Sequence, residues 1–243
     1  MNTVQQLATR TSKYGHQERQ ERDREAVRRA ILDAARELFV AEGFRNVSIR
    51  KIAERIEYSP AAIYSYFPSK DDIFFALAEE GFRLLGHPGV EGRREVLEGL
   101  DPIQRIRAVF WRVYEFSRQH PEYFALMFLD RSVPRISREY ERFAFARETK
   151  RHVVAELERC VKAKVFPPTV KPTVAMRVLI AGLLGIAALK LSDRLAPGED
   201  PDLLASDVLD TAIAGLRAGV VLKSAEVDLA CPATDPLVDQ QAS

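Results

Sequence analysis

The 243-residue chain is predicted to be all-α, with a small three-helix unit ahead of a larger helical domain. Three observations carry that expectation. Apolar residues recur at three- and four-residue steps from Val27 onward, serines and aspartates stand where helices would begin, and prolines follow them at first helical positions, as in Ser59-Pro60 and Asp101-Pro102.

Residues 1–20 are polar and without rhythm, which reads as a flexible arm. The first helix is expected to begin near Arg22, with Val27, Ala30, Ile31, Ala34, Leu38 and Phe39 on one face. Gly43 should end it in a left-handed position, letting Phe44 fold back on Phe39. Ser48 is placed to cap a helix from Ile49, and Val47 and Ile52 have the spacing of a hydrophobic staple. The device then repeats. Ser59 is the next cap, Pro60 takes the first helical position, and Tyr58 and Ile63 are spaced as a second staple. Between the two caps there is room for one helix of about two turns and a tight turn at Glu57 and Tyr58, with a second helix ending before Pro68. That is a helix-turn-helix, which sets a domain of residues 21–76. Ser69 caps a fourth helix, whose first turn holds Asp71 and Asp72 where the helix dipole favours negative charge.

In the short third helix Ile63 and Phe67 can face inward, leaving Ala61, Ala62, Ser65 and Tyr66 to point elsewhere. So short a helix buries too little to act mainly as a core element. Capped and propped by its neighbours, it can enter a major groove, where small residues allow close approach and hydroxyls reach base edges or phosphates. The alternative is a plain three-helix bundle with a solvated third helix. The charge distribution is compatible with nucleic acid, since residues 1–70 hold thirteen Lys or Arg against nine Asp or Glu, while the rest of the chain holds 23 against 26.

The run from Arg28 to Leu77 resembles the N-terminal domain of the tetracycline-repressor family of bacterial transcription regulators. The resemblance is carried by Leu38, Phe39, Gly43 and Phe44, by the Ser-Ile-x-x-Ile-Ala of Ser48 to Ala53, and by the Ile-Tyr-x-x-Phe-x-x-Lys of Ile63 to Lys70. It implies a homodimeric, all-helical, ligand-responsive repressor with a larger C-terminal domain that binds a small molecule. By position it assigns phosphate contacts to Ser48, Tyr64, Tyr66 and Lys70, and base-edge contacts to Pro60, Ala61, Ala62 and Ser65. Arg50 and Ser59 complete the candidate DNA-facing set. One residue departs from the pattern: members commonly carry glycine where this chain has Glu57. If that position needs a positive φ, glutamate costs about 1 kcal/mol there.

The remaining helical domain, residues 77–225, has no such pattern. A glycine-rich, charged stretch after the fourth helix reads as a loop. Asp101, Pro102 and Gln104 then supply a cap, a first-position proline and a box-like partner for a helix carrying Ile103, Ile106, Phe110, Val113 and Tyr114. His120 and Pro121 break it. A short apolar helix follows up to Pro134, then a long helix from about Ser137 whose apolar stripe also takes in Arg147 and Lys150, read either as an anchor for an anion or as stems packed on apolar surface. Phe110, Trp111, Tyr114, Met127, Phe128 and Phe143 either fill the core or, as the family resemblance implies, line an apolar pocket for the effector with Arg147 as its polar anchor. Two helices close the domain, Pro172 to about Leu191 and Asp202 to about Lys223; small residues at Ala181, Gly182, Gly185 and Ala188 suit close helix packing, within the monomer or between copies, and the family resemblance implies that these helices pair across a two-fold axis. Residues 226–243 read as a disordered tail.

Other functions find little support. Cys160 and Cys231 are far apart, and His16, His87, His120 and His152 show no metal-ligand spacing, so neither a metal nor any other cofactor is expected. No nucleophile motif or phosphate loop is present, which argues against an enzyme. The longest apolar run, Val178 to Leu189, is too short to span a bilayer, and the N-terminus lacks a signal-like apolar run, so a cytoplasmic location without a membrane partner is expected. The partners implied are double-stranded DNA with a palindromic operator, a small-molecule effector and a second copy of the chain. The competing readings are a helix-turn-helix protein that needs no ligand and an unrecognised all-helical enzyme.

Overall fold

A computed structural model describes residues 3–86, 99–134 and 144–226, with the backbone alone for residues 3–17 and 144–146. Among these residues all regular structure is helical. In order come α1 (Thr3–Glu42), a 3-10 turn (Phe44–Asn46), α2 (Ile49–Arg55), α3 (Pro60–Tyr64) and α4 (Lys70–Gly86). They are followed by α5 (Pro102–Gln119), α6 (Pro121–Phe124) running into a π turn (Ala125–Leu129), α7 (Ala144–Lys162), α8 (Pro172–Leu191) and α9 (Pro201–Arg217). The chain divides into two compact units, Met1–Leu77 and Ala78–Ser243.

In the first unit, α1 runs for 40 residues. The flexible arm expected over residues 1–20 is therefore corrected: the chain is already helical from Thr3. Its polar composition hid a segment without proline, in which Gly15 is the only glycine. Once a helix is nucleated by the packed segment after Val27, extension costs little per residue. Opposite charges one turn apart assist it, as in Arg28 with Glu25 at 3.4 Å and Arg29 with Asp33 at 2.9 Å.

Gly43 ends α1, but not in the left-handed helical form. Its φ of 80° and ψ of 145° fall in a region open essentially to glycine alone. The chain then enters the 3-10 turn, and the Phe39 and Phe44 rings still meet, with centroids 5.0 Å apart. Ile31, Leu38, Phe39, Phe44, Ile52, Ile63 and Phe74 form the core beneath the short helices. Removing any of these large side chains is worth about 2–5 kcal/mol.

The second unit is organised on α8, which packs against α5, α7, α9 and the π turn. Val174, Leu179, Leu183 and Ile186 are its buried side. A Cβ on Gly182 would stand 2.6 Å from Val208 Cγ1, so glycine is what lets α9 come close. A Cβ on Gly185 would meet nothing within 4 Å. α8 is also the one helix among the described residues that is long and apolar enough to cross a bilayer, and its inner side is taken up by its three helical neighbours.

Asp101 caps α5 as the sequence suggested, accepting from Ile103 N and Gln104 N at 2.8 and 3.1 Å while Gln104 Oε1 accepts from Asp101 N at 3.3 Å. The apolar stretch after His120 is shorter than expected as a helix, because it slips into the π turn and stops at Asp130, whose N–H reaches back to Ala125 O at 3.0 Å. The last helix also stops early, at Arg217 rather than near Lys223. Gly219 takes φ 79° there, and the N–H groups of Gly219 and Val220 bond to Leu216 O and Gly215 O, a left-handed glycine stop. The expected tail lies almost wholly outside the described residues, as does the start of the long helix near Ser137.

Candidate nucleic-acid interface

Two serine caps build the helix-turn-helix. Ser48 Oγ accepts from Lys51 N at 3.2 Å and Ser59 Oγ from Ala62 N at 3.2 Å, each satisfying a donor that the first turn of a helix leaves open. Pro60 stands at the first helical position of α3, as its missing N–H permits. Below, Ile63 and Phe67 are buried, and they orient the rest of α3 outward.

The turn between α2 and α3 has an unexpected construction. Tyr58 N–H bonds to Ala53 O at 2.9 Å and Glu57 N–H to Glu54 O at 3.3 Å, the paired bonds of a Schellman ending. Glu57 occupies the left-handed position of that motif, with φ 60°. Of the expected second staple, Ile63 is fully buried while Tyr58 is 45% exposed. The backbone bonds hold the turn in its place.

Ser48, Arg50, Ser59, Pro60, Ala61, Tyr64 and Ser65 are exposed, and Ala62, Tyr66 and Lys70 are half-buried. Several are engaged within the fold. Arg50 pairs with Glu54 at 2.9 Å on the open surface, Ser65 donates its hydroxyl proton to Ala62 O at 2.7 Å, and the Arg24 guanidinium lies 5.8 Å from the Tyr66 ring centroid. Lys70 donates to Phe44 O at 2.8 Å and to Val47 O at 2.9 Å, with its ammonium 4.2 Å from the Phe44 ring. Burial lowers its pKa, and Asp71 opposes that shift. Of three ammonium protons, one remains for an outside acceptor. Sequence reasoning missed Tyr58 as a surface residue because its staple spacing pointed inward.

The candidate effector residues separate into two groups. Phe128 packs edge-on to Phe82 at 6.4 Å and against Phe124 at 5.1 Å. Met127 abuts Gly81, where a Cβ would collide with its sulfur. Trp111 and Tyr114 belong instead to the seam of α5 with α9. Tyr114 is fully buried and donates to Asp202 Oδ1 at 2.7 Å, and both the loss of solvent and that bond push its pKa up. Trp111 lies 5.1 Å from Tyr114 and under the Arg107 guanidinium, which also donates to Asp210 at 2.7 Å. Phe110 is buried in the core of α5. Arg147 and Lys150 are half-buried on α7, and burial lowers the Lys150 pKa. Phe143 lies outside the described residues.

Two capped short helices over a shared core, followed by a separate helical unit, define a helix-turn-helix protein of the regulator type. Residues 31–77 match the family model described as bacterial regulatory proteins, tetR family, and residues 106–212 match the tetracyclin repressor-like C-terminal domain. The chain belongs to the tetR family of bacterial regulatory proteins.

It is 44% identical over 55 residues to the HTH-type transcriptional repressor Rv1474c of Mycobacterium tuberculosis, covering 23% of this chain and 29% of that protein. It is 30% identical over 167 residues to the nucleoid occlusion factor SlmA of Vibrio vulnificus, covering 65% of this chain and 78% of that one. The chain thus spans less than a third of the mycobacterial repressor's length, and 39% of that of the repressor AcnR of Corynebacterium glutamicum. Among solved structures the fold matches the regulator PfmR from Thermus thermophilus, with TM-score 0.59 and 23% identity over 76% of this chain and 98% of that one. It also matches FadR from Bacillus subtilis in complex with stearoyl-CoA, with TM-score 0.61 and 16% identity over 76% of this chain and 97% of that one.

Proposed function

We propose that this protein is a transcriptional repressor that binds a palindromic operator as a two-fold dimer and is released from it by an apolar or amphipathic small molecule. The observation that carries the reading is the start of α3, where Ser59, Pro60 and Ala61 are exposed above a buried Ile63. A capped helix end presenting small side chains suits entry into a major groove. The repressors to which the first unit is similar support the same reading.

One short reading helix contacts few bases, so two are needed for a specific site. The face of α8 away from its core offers a pairing surface: Val178 and Leu189 are 39% and 38% exposed, with Ala181 and the open Gly185 between them. Small residues at such steps let a second helix approach closely. Phe128, Met127 and their neighbours on α4 and the π turn are the region for an effector, and a neighbour solved with stearoyl-CoA suggests a long apolar ligand with a polar head. Such a ligand weakens DNA binding only by as much as it prefers the form that binds DNA poorly.

Selection of bound fragments from the source genome, followed by titration with stearoyl-CoA and shorter acyl-CoAs, tests the reading. A palindromic fragment bound by a dimer and released by one of these probes is the expected result. Protection of one asymmetric half-site by a monomer would defeat it. The second reading is a DNA-binding protein without an effector, and an operator affinity unchanged by stearoyl-CoA and the shorter acyl-CoAs would support it.

A further inference from the structure

Glu57 is one of the described acids of the first unit that have no ion pair, with Glu18, Glu21, Asp23 and Asp71. Glu25, Asp33, Glu37, Glu42 and Glu54 are each ion-paired, to Arg28, Arg29, Arg55, Lys51 and Arg50. Among the described residues Glu57 has no such partner, and it is exposed on the α2–α3 turn. Positive φ alone is no signal in this protein, since Lys164 and Asp193 also adopt it, at 58° and 53°. Lys164 and Asp193 are likewise unpaired charges, among the described residues, on turns closed by two backbone bonds, so what is particular to Glu57 is its place between α2 and α3, just ahead of the Ser59 cap. Tyr58 beside it is turned out of the core as well.

A carboxylate near DNA is repelled by phosphate unless it faces a donor. In the major groove the base-edge donor that suits a carboxylate is the N4 amino group of cytosine. We infer that Glu57 is a specificity-determining residue, accepting a hydrogen bond from cytosine N4 once in each half-site. This rests on the DNA-binding reading above and adds the turn to the reading surface. The locked backbone fixes the root of the side chain, so the carboxylate samples a limited region beside the start of α3.

The test is selection from a duplex library with a randomised core, using the full chain, Glu57→Gln and Glu57→Gly, with melting curves to establish that each is folded. The full chain should prefer cytosine at one symmetry-related pair of positions by about tenfold. Glu57→Gln, which can donate as well as accept, should shift that preference toward adenine, and Glu57→Gly should abolish it, with the remaining positions unchanged. If both variants select the parent's sequences while binding all of them more tightly and with a steeper salt dependence, Glu57 merely repels phosphate and the inference is overturned. A full chain that selects no sequence at all would instead defeat the DNA-binding reading on which it stands.

Discussion

The Lys70 ammonium donates to the Phe44 carbonyl at 2.8 Å and stands 4.2 Å from the Phe44 ring, so the first residue of α4 braces the turn that precedes α2. The second bond, to Val47 O at 2.9 Å, is made one residue before the Ser48 cap. A residue that the family resemblance assigns to phosphate is therefore also a support for the helix that carries the other contacts. Lys70→Ala should lower the urea midpoint by an amount equivalent to about 1–3 kcal/mol, from two charge-assisted bonds, as well as weaken operator binding. If the midpoint does not move while binding and its salt slope fall, the lysine acts on phosphate alone.

Glu57 at φ 60° should be a site of removable strain. A left-handed setting costs a non-glycine residue about 1–2 kcal/mol, and glycine returns about 0.4–1 kcal/mol of that through a more disordered unfolded chain. Glu57→Gly should therefore raise stability by about 0.5–1 kcal/mol, measured by thermal melting. Lys164→Gly and Asp193→Gly should move the same way, since both sit in turns of the same form. Destabilisation by all three would show that these side chains hold contacts worth more than the strain.

Gly182 and Gly185 should respond in opposite ways. Gly182→Ala places a Cβ 2.6 Å from Val208 Cγ1 and should destabilise by about 1–3 kcal/mol through overpacking. Gly185 has open space around it, so Gly185→Arg should fold but dissociate the proposed dimer, as read by sedimentation at several concentrations. A Gly185→Arg protein that remains a full dimer would place the pairing surface elsewhere.

The effector region is better probed at Phe128 than at Phe110. Phe110 is buried, and its removal should cost about 3–5 kcal/mol whatever its role. Phe128 is half-buried between Phe82 and Phe124, so Phe128→Ser should leave a folded, operator-binding protein that no longer responds to an acyl probe. Release at the parent's probe concentration would remove Phe128 from the site.

Tyr114 predicts a loss of stability on the alkaline side. Its pKa is raised in the folded protein, first by burial and then by the bond to Asp202, so the fold favours the protonated phenol. The unfolded chain releases that proton near pH 10. The stabilisation is thus fully present below about pH 10 and falls as pH rises above it. Tyr114→Phe should flatten that decline, and an unchanged slope of urea midpoint against pH would refute the assignment.

The local chemistry of helix starts was open to sequence reading. Ser48, Ser59, Ser69 and Asp101 cap because a short side-chain oxygen next to a helical run has few better partners than the backbone donors beside it. The same locality carried the helix-turn-helix and the burial of Ile63. Contacts distant in sequence were decided by the tertiary structure. Lys70 reached carbonyls 26 and 23 residues away, and Tyr114 found Asp202 88 residues on, so no spacing rule could assign them to bracing rather than binding. Tyr58 had staple spacing but remained at the surface, because two backbone bonds had already closed its turn and the core beneath was filled by Ile63. The aromatic residues of the second unit parted for a related reason: periodicity orders side chains around one helix, but which neighbour each ring meets depends on how α5 and the π turn pack against the others.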